Sequence, residues 1–142
     1  MPSAAKYEQI QIGDSHLLEK KITDEMVRNF ADFTGDCNPV HMDEEYCTGH
    51  GMDSRIVHGM LVLSFLSTLI GMYLPGEGSV WMSQAIDFIS PVKIGDTVRI
   101  SGRVTDKNSS NALGLNIIML KIEISNQSGN LVARGHVKVS LK

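Results

Sequence analysis

Residues 56–74 are almost uninterrupted apolar sequence, about the length that spans a bilayer. Yet the run carries His58, Ser64, Ser67, Thr68 and two glycines. Pro75-Gly76-Glu77-Gly78 and a series of strand-like segments follow it directly. A buried core helix satisfies both observations, and a membrane span does not. From about His58 to Tyr73 the apolar residues Met60, Leu61, Val62, Leu63, Phe65, Leu66, Leu69 and Ile70 circle the whole axis. Such a helix has to be enclosed on most sides.

The remaining sequence supplies the enclosure. Residues 80–89 read as a strand. Residues 97–105 alternate, with Val98, Ile100 and Val104 on one face and Thr97, Arg99, Ser101, Arg103 and Thr105 on the other. Residues 113–125 form a third strand, and the turn Asn126-Gln127-Ser128-Gly129-Asn130 leads into a last one with Leu131, Ala133, Val137, Val139 and Leu141 on one face. Residues 17–22 add a short strand near the start. Short connections make these strands antiparallel neighbours. The expected class is therefore α+β, a single domain over residues 1–142 in which an antiparallel sheet wraps a long central helix: the hot-dog arrangement.

Charge and cysteine content narrow the function. A net charge of -3 offers no basic field for nucleic acid. Cys37 and Cys47 are too few for a disulfide framework, and the first residues lack the charged head and apolar run of a signal peptide. The expectation is a cytoplasmic protein with reduced thiols, bound to no membrane.

The chemistry concentrates between Thr23 and Gly59. Thr23 is a good helix N-cap, Asp24 and Glu25 follow in the first turn, and Gly35 supplies a stop. Asp36 thus lies just past a helix end. Pro39 gives Cys37-Asn38-Pro39-Val40-His41 a loop of defined shape, in which Asp36 and His41 are brought together. Asp43 caps a short helix through Cys47, and residues 48–54 form a polar, glycine-rich loop. The central helix starts near Val57-His58-Gly59-Met60 without Ser, Thr, Asp or Asn immediately before it, so its first N–H groups are open to a ligand. Gly59 lets a carbonyl approach its backbone closely. His58 reads as orienting the helix start, Ser67 as bonded to a carbonyl one turn back, and His50 as exposed.

Other chemistries fit less well. Cys37, His41, Cys47 and His50 are potential metal ligands, but their spacing matches no usual zinc pattern. A Gly-x-Ser-x-Gly elbow and a glycine-rich nucleotide loop are both missing.

Phe33-Thr34-Gly35-Asp36-Cys37-Asn38-Pro39-Val40-His41 resembles the signature of the MaoC-like, R-specific enoyl-CoA hydratases. Ile56-Val57-His58-Gly59-Met60-Leu61 resembles that family's second block, and Gln84 with Phe88, Pro91-Val92 and Gly95-Asp96 its third. The resemblance runs from about Thr23 to the C-terminus. It implies the hot-dog fold, a homodimer, and reversible syn hydration of a trans-2-enoyl-CoA to an (R)-3-hydroxyacyl-CoA. Asp36 and His41 are implied as the water-activating, proton-transferring pair, and the Gly59 backbone N–H as part of the oxyanion hole. Ser67 is implied to stand near the aspartate. Asn38, inside the signature, joins Gly59 and Ser67 as an expected substrate-side residue. No cofactor or metal is implied, CoA being part of the acyl-CoA substrate. Departures are Cys47, where the family usually has Ala or Ser, and the polar stretch ending in Ser54-Arg55. The alternatives are a hot-dog acyl-CoA thioesterase and a non-catalytic acyl-CoA-binding subunit.

Overall fold

The computed structural model describes residues 2–109 and 112–141. The element order is α1 (Pro2–Gln9), β1 (Ser15–Lys21), α2 (Asp24–Thr34), α3 (Pro39–Met42), α4 (Glu44–Gly49), α5 (Gly59–Thr68), β2 (Ser79–Phe88), β3 (Thr97–Asn108), β4 (Asn116–Ser125) and β5 (Leu131–Leu141). A turn of π geometry, Leu69–Tyr73, continues α5.

The strands make one five-stranded sheet in the order β1-β3-β4-β5-β2, with every pairing antiparallel. Its core face comes from the alternation legible in the sequence: Val98, Ile100 and Val104 of β3, Leu120, Ile122 and Ile124 of β4, and Val137 and Val139 of β5 are all buried. Against that face lie Leu61, Val62, Leu63, Leu66, Leu69 and Ile70. Gly102 of β3 permits this approach, because a Cβ there would stand 2.9 Å from Leu69 Cδ2. The sheet-and-central-helix architecture is the hot dog that the pattern predicts.

Three details differ from the sequence reading. The N-terminal α1 was not signalled by any periodicity. The third expected strand begins at Asn116, later than expected. The helical turns of α3 and α4 occupy sequence read as loop at 39–41 and 48–49. As expected, α5 is enclosed on most sides and not all round. Met60, Ser64, Ser67, Thr68 and Met72 form an exposed stripe at helical spacing. Among the described residues, no helix is long and apolar enough to cross a membrane.

Candidate active site

The segment from α2 to the start of α5 lies outside the sheet and carries the polar chemistry. Helix α2 starts where Thr23 Oγ1 accepts from the Met26 N–H at 3.2 Å, and ends at Gly35 in left-handed geometry (φ 82°). Beyond that stop the chain folds through side-chain-to-backbone bonds. The Asp36 N–H donates to Thr34 Oγ1 (3.2 Å), the Asn38 N–H to Asp36 Oδ1 (3.2 Å), and the Val40 N–H to Asn38 Oδ1 (3.2 Å). Asn38 is the N-cap of α3, with Pro39 in its first turn, where a missing N–H costs nothing. His41 thus sits on a one-turn helix and not in an open loop.

These bonds aim the carboxylate. With Oδ1 engaged by Asn38, Asp36 Oδ2 faces His41 Nε2 at 4.0 Å. His41 Nδ1 lies 2.7 Å from the Ile56 carbonyl oxygen, which can only accept. The nitrogen there therefore carries the proton, and in the neutral ring Nε2 keeps its lone pair towards Asp36. The 4.0 Å gap is too long for a direct hydrogen bond but suits a shared water. An oxygen about 2.8 Å from both atoms would see them at roughly 90°. The His41 side chain is 12% exposed and that of Asp36 is 49% exposed. The pair is open on the carboxylate side.

Several contacts hold α3 in place. The Ile56 N–H donates to the Val40 carbonyl (3.0 Å), and the Val57 N–H to the Val92 carbonyl (2.7 Å). The Cys47 thiol, fully buried, points at the Val40 carbonyl (3.4 Å). Burial pushes that thiol up from its ordinary pKa, and the Glu44 and Asp43 carboxylates add to the effect. Cys47 packs against the main chain of α3. Arg55, buried at 9% exposure, pairs with Asp24 and approaches Glu44 at 3.6 Å. It ties the start of α2 to the segment that orients His41. Hydrogen bonding from Arg55, then from Arg28, holds the Asp24 carboxyl below the usual range.

Sequence reasoning gave His58 too little weight. It is the N-cap residue of α5, makes no side-chain cap, and is 2% exposed. Its Nε2–H donates to the Asp36 carbonyl at 3.0 Å, and its ring lies on His41 (centroids 4.0 Å, 31° apart) and near Phe30 (4.8 Å). Its Nδ1 is buried without a partner, an arrangement that costs about 1–3 kcal/mol. Asp36, His41 and His58 hold donor atoms within 4.8 Å of one another. The two rings are tilted by 31°, and with His41 Nδ1–H given to Ile56 and His58 Nε2–H given to Asp36, His58 keeps only its buried Nδ1 as a lone pair.

The cleft beside this group has a volume of about 920 Å³. Asp36, His41, His58 and Gly59 line it, and Phe30, Leu63, Trp81, Phe88 and Val132 give it apolar walls. Gly59 faces the Phe88 ring so closely that a Cβ would stand 2.9 Å from Cζ. The uncapped start of α5 opens beside the Asp36–His41 pair, as its sequence suggests.

The structure brings three of the five expected site residues to the cleft: Asp36, His41 and Gly59. Ser67 is exposed and does not line it; Ser64, one turn earlier, does, with its hydroxyl donated to the Leu61 carbonyl at 2.5 Å. Only the first half of α5 lines the cleft, through Gly59, Met60, Leu63 and Ser64, so Ser67, further along the same exposed stripe, falls beyond it. Asn38 does not line the cleft either, because its side chain is occupied in capping α3. His50 is exposed and stacks on Tyr46, away from the cleft.

Proteins of similar sequence and structure include a dehydratase and (R)-specific hydratases. A 3-hydroxybutyryl-CoA dehydratase of Methylorubrum extorquens is 36% identical over 100 residues, which are 70% of this chain and 64% of that protein. An (R)-specific enoyl-CoA hydratase of Aeromonas caviae is 33% identical over 134 residues, 94% of this chain and 97% of that one. The solved structure of the A. caviae (R)-hydratase superposes with a TM-score of 0.88 at 32% identity, covering 95% of this chain and 99% of the other. Residues 9–122 match the model of the MaoC like domain, and the chain belongs to that family.

Proposed function

We propose that this protein is a hydro-lyase that reversibly hydrates trans-2-enoyl-CoA to (R)-3-hydroxyacyl-CoA, with Asp36 and His41 sharing the attacking water. The 4.0 Å separation of Asp36 Oδ2 and His41 Nε2 carries this reading, because that distance suits two acceptors sharing one water at the mouth of an apolar cleft. The (R)-specific hydratase names of the relatives point to the same chemistry.

The mechanism follows from the tautomer. His41, anchored through Nδ1–H to Ile56, takes a proton from water at Nε2 as the oxygen bonds to C3 of the enoyl group. The Asp36 carboxylate orients the water and stabilises the imidazolium that forms. Electron density moves through C2 to the thioester oxygen, where the Gly59 N–H at the open end of α5 stabilises it. The imidazolium then returns its proton to C2. Hydroxyl and hydrogen arrive from one face, so addition is syn and the enzyme ends as it began. The scheme needs no cofactor and no metal, and CoA enters only as part of the substrate.

A homodimer fits the exposed surface. The edge strand β2 presents Val80 (48% exposed), Met82 (42%) and Phe88 (52%), beside the exposed stripe of α5. An unpaired apolar edge is a template for a second strand, here that of another copy. Val80→Lys with Met82→Lys is expected to shift the protein towards monomer in sedimentation; an unchanged mass refutes this interface. The site of action is taken as the cytoplasm, where acyl-CoA is available.

The test is direct. Purified protein with crotonyl-CoA should consume the enoyl-thioester absorbance, and chiral analysis should return the (R)-3-hydroxy product. Release of free thiol in place of hydration would identify a thioesterase. Binding of the thioester without turnover would identify a non-catalytic subunit.

A further inference from the structure

We propose that His58 is a positioning residue of this site: its Nε2–H holds the Asp36 main chain while its ring supports His41. The inference rests on the hydratase reading above and adds a residue with no part in the proton transfers. The observations are geometric. His58 is 2% exposed, its Nε2 lies 3.0 Å from the Asp36 carbonyl oxygen, and its ring centroid lies 4.0 Å from that of His41. In the chain it immediately precedes Gly59. One buried ring therefore touches the aspartate loop and the histidine face, and is bonded to the residue whose N–H serves the thioester oxygen.

The His41–Ile56 and Ile56–Val40 bonds hold the His41 turn and not the Asp36 main chain. Asp36 follows a helix stop, its side chain is half exposed, and the bonds that shape its loop are local, reaching no further than two residues. The His58 bond crosses 22 residues of sequence and binds that loop to the base of α5. A carbonyl only accepts, so the bond sets the His58 tautomer at Nε2–H and leaves Nδ1 as a lone pair, which is the buried atom without a partner. His41 is held in the opposite tautomer, Nδ1–H, by the Ile56 carbonyl. Two tilted imidazoles in opposite tautomers are the signature of the arrangement.

Two substitutions separate this role from simple packing. The amide nitrogen of Gln reaches the position of Nε2, whereas that of Asn falls short and replaces Nδ1. With crotonyl-CoA as substrate, His58→Asn and His58→Ala should lower kcat about 10–100-fold, the scale expected for an ångström of misplacement, with KM within about threefold of wild type. His58→Gln should recover to within about fivefold of wild type. A Gln variant no better than Asn, or an Ala variant close to wild type, overturns the proposal. Asp36→Asn is measured alongside. If wild type turns over and Asp36→Asn is equally active, the Asp36–His41 reading fails, and not this one.

A spectroscopic measurement needs no cleft variant. With His16, His50 and His136 replaced by Gln, long-range ¹H–¹⁵N spectra of the two remaining histidines at neutral pH should contain one Nδ1–H and one Nε2–H tautomer. Two rings in the same tautomer overturn the assignment, whether or not the His58 variants fold.

Discussion

Replacing the Asp36 carboxylate by an amide isolates its charge with little change of shape. In Asp36→Asn the side-chain oxygen still accepts from the Asn38 N–H, so the turn after α2 is retained. What changes is the face towards His41 Nε2, where an amide N–H₂ can now donate into the lone pair that the water should fill. The electrostatic loss follows from the 4.0 Å separation. An ion pair at that distance interacts by about 1 kcal/mol in a water-like medium and about 4 kcal/mol at an effective dielectric constant near 20. The Asp36 side chain is 49% exposed, so solvent screening places the value in the lower part of that range, about 1–2 kcal/mol. This alone slows the step about 5–30-fold. Loss of one of the two acceptors that orient water contributes at least about another tenfold. Multiplied together, these give a fall in kcat of about 50–300-fold or more, with KM little changed, because the carboxylate is not asked to bind the acyl chain. Steady-state hydration of crotonyl-CoA measures the rate. A urea melt should find stability within about 0.5 kcal/mol of wild type, as expected for an exposed isosteric change. An Asp36→Asn enzyme within about twofold of wild-type kcat refutes the shared-water geometry.

The remaining predictions test the supports of the site. Leu66 of α5 is fully buried among the strands, and Leu66→Ala should cost about 2–5 kcal/mol in urea unfolding; a loss below about 1 kcal/mol would mean that α5 is not the centre of the core. Asp24 has its pKa lowered in the folded state, chiefly by Arg55, so the stability it contributes is complete above its unfolded value of 3.8 and disappears as pH falls through the lower folded value. The stability gap between wild type and Arg55→Met should therefore narrow as pH drops below about 4, and a gap independent of pH between neutrality and strong acid contradicts the pairing. In Gly59→Ala the new Cβ meets the Phe88 ring at 2.9 Å. That ring is half exposed and can turn into the cleft, so kcat/KM should fall about tenfold or more while stability changes by about 1 kcal/mol or less; unchanged kinetics would place the substrate carbonyl elsewhere.

Much of the architecture was legible because it depends on periodicity. The alternation at residues 97–105 and 131–141 became β3 and β5, and the apolar run from His58 became α5, since burial on one face leaves a repeating mark. Local hydrogen-bond chemistry was legible too. Thr23, Gly35 and Asp43 act through atoms within a few residues of themselves, so their roles as caps and stop needed no knowledge of the fold. Ser67 and Ser64 illustrate the limit: the sequence marks both as polar residues in an apolar helix, but only packing decides which faces the cleft.

Residue type and order by themselves determined that one apolar helix would be wrapped by antiparallel strands, and that a carboxylate and an imidazole would follow a helix stop. Both are short-range consequences of where apolar side chains and turn formers fall along the chain. Only the tertiary structure decided what those two groups face. The tautomer of His41 depends on Ile56, the seat of Asp36 on His58, and the space over Gly59 on Phe88, partners 15, 22 and 29 residues distant in the chain. Contacts of that span are set when the segment from α2 to α5 docks beside the sheet, and no periodicity records them.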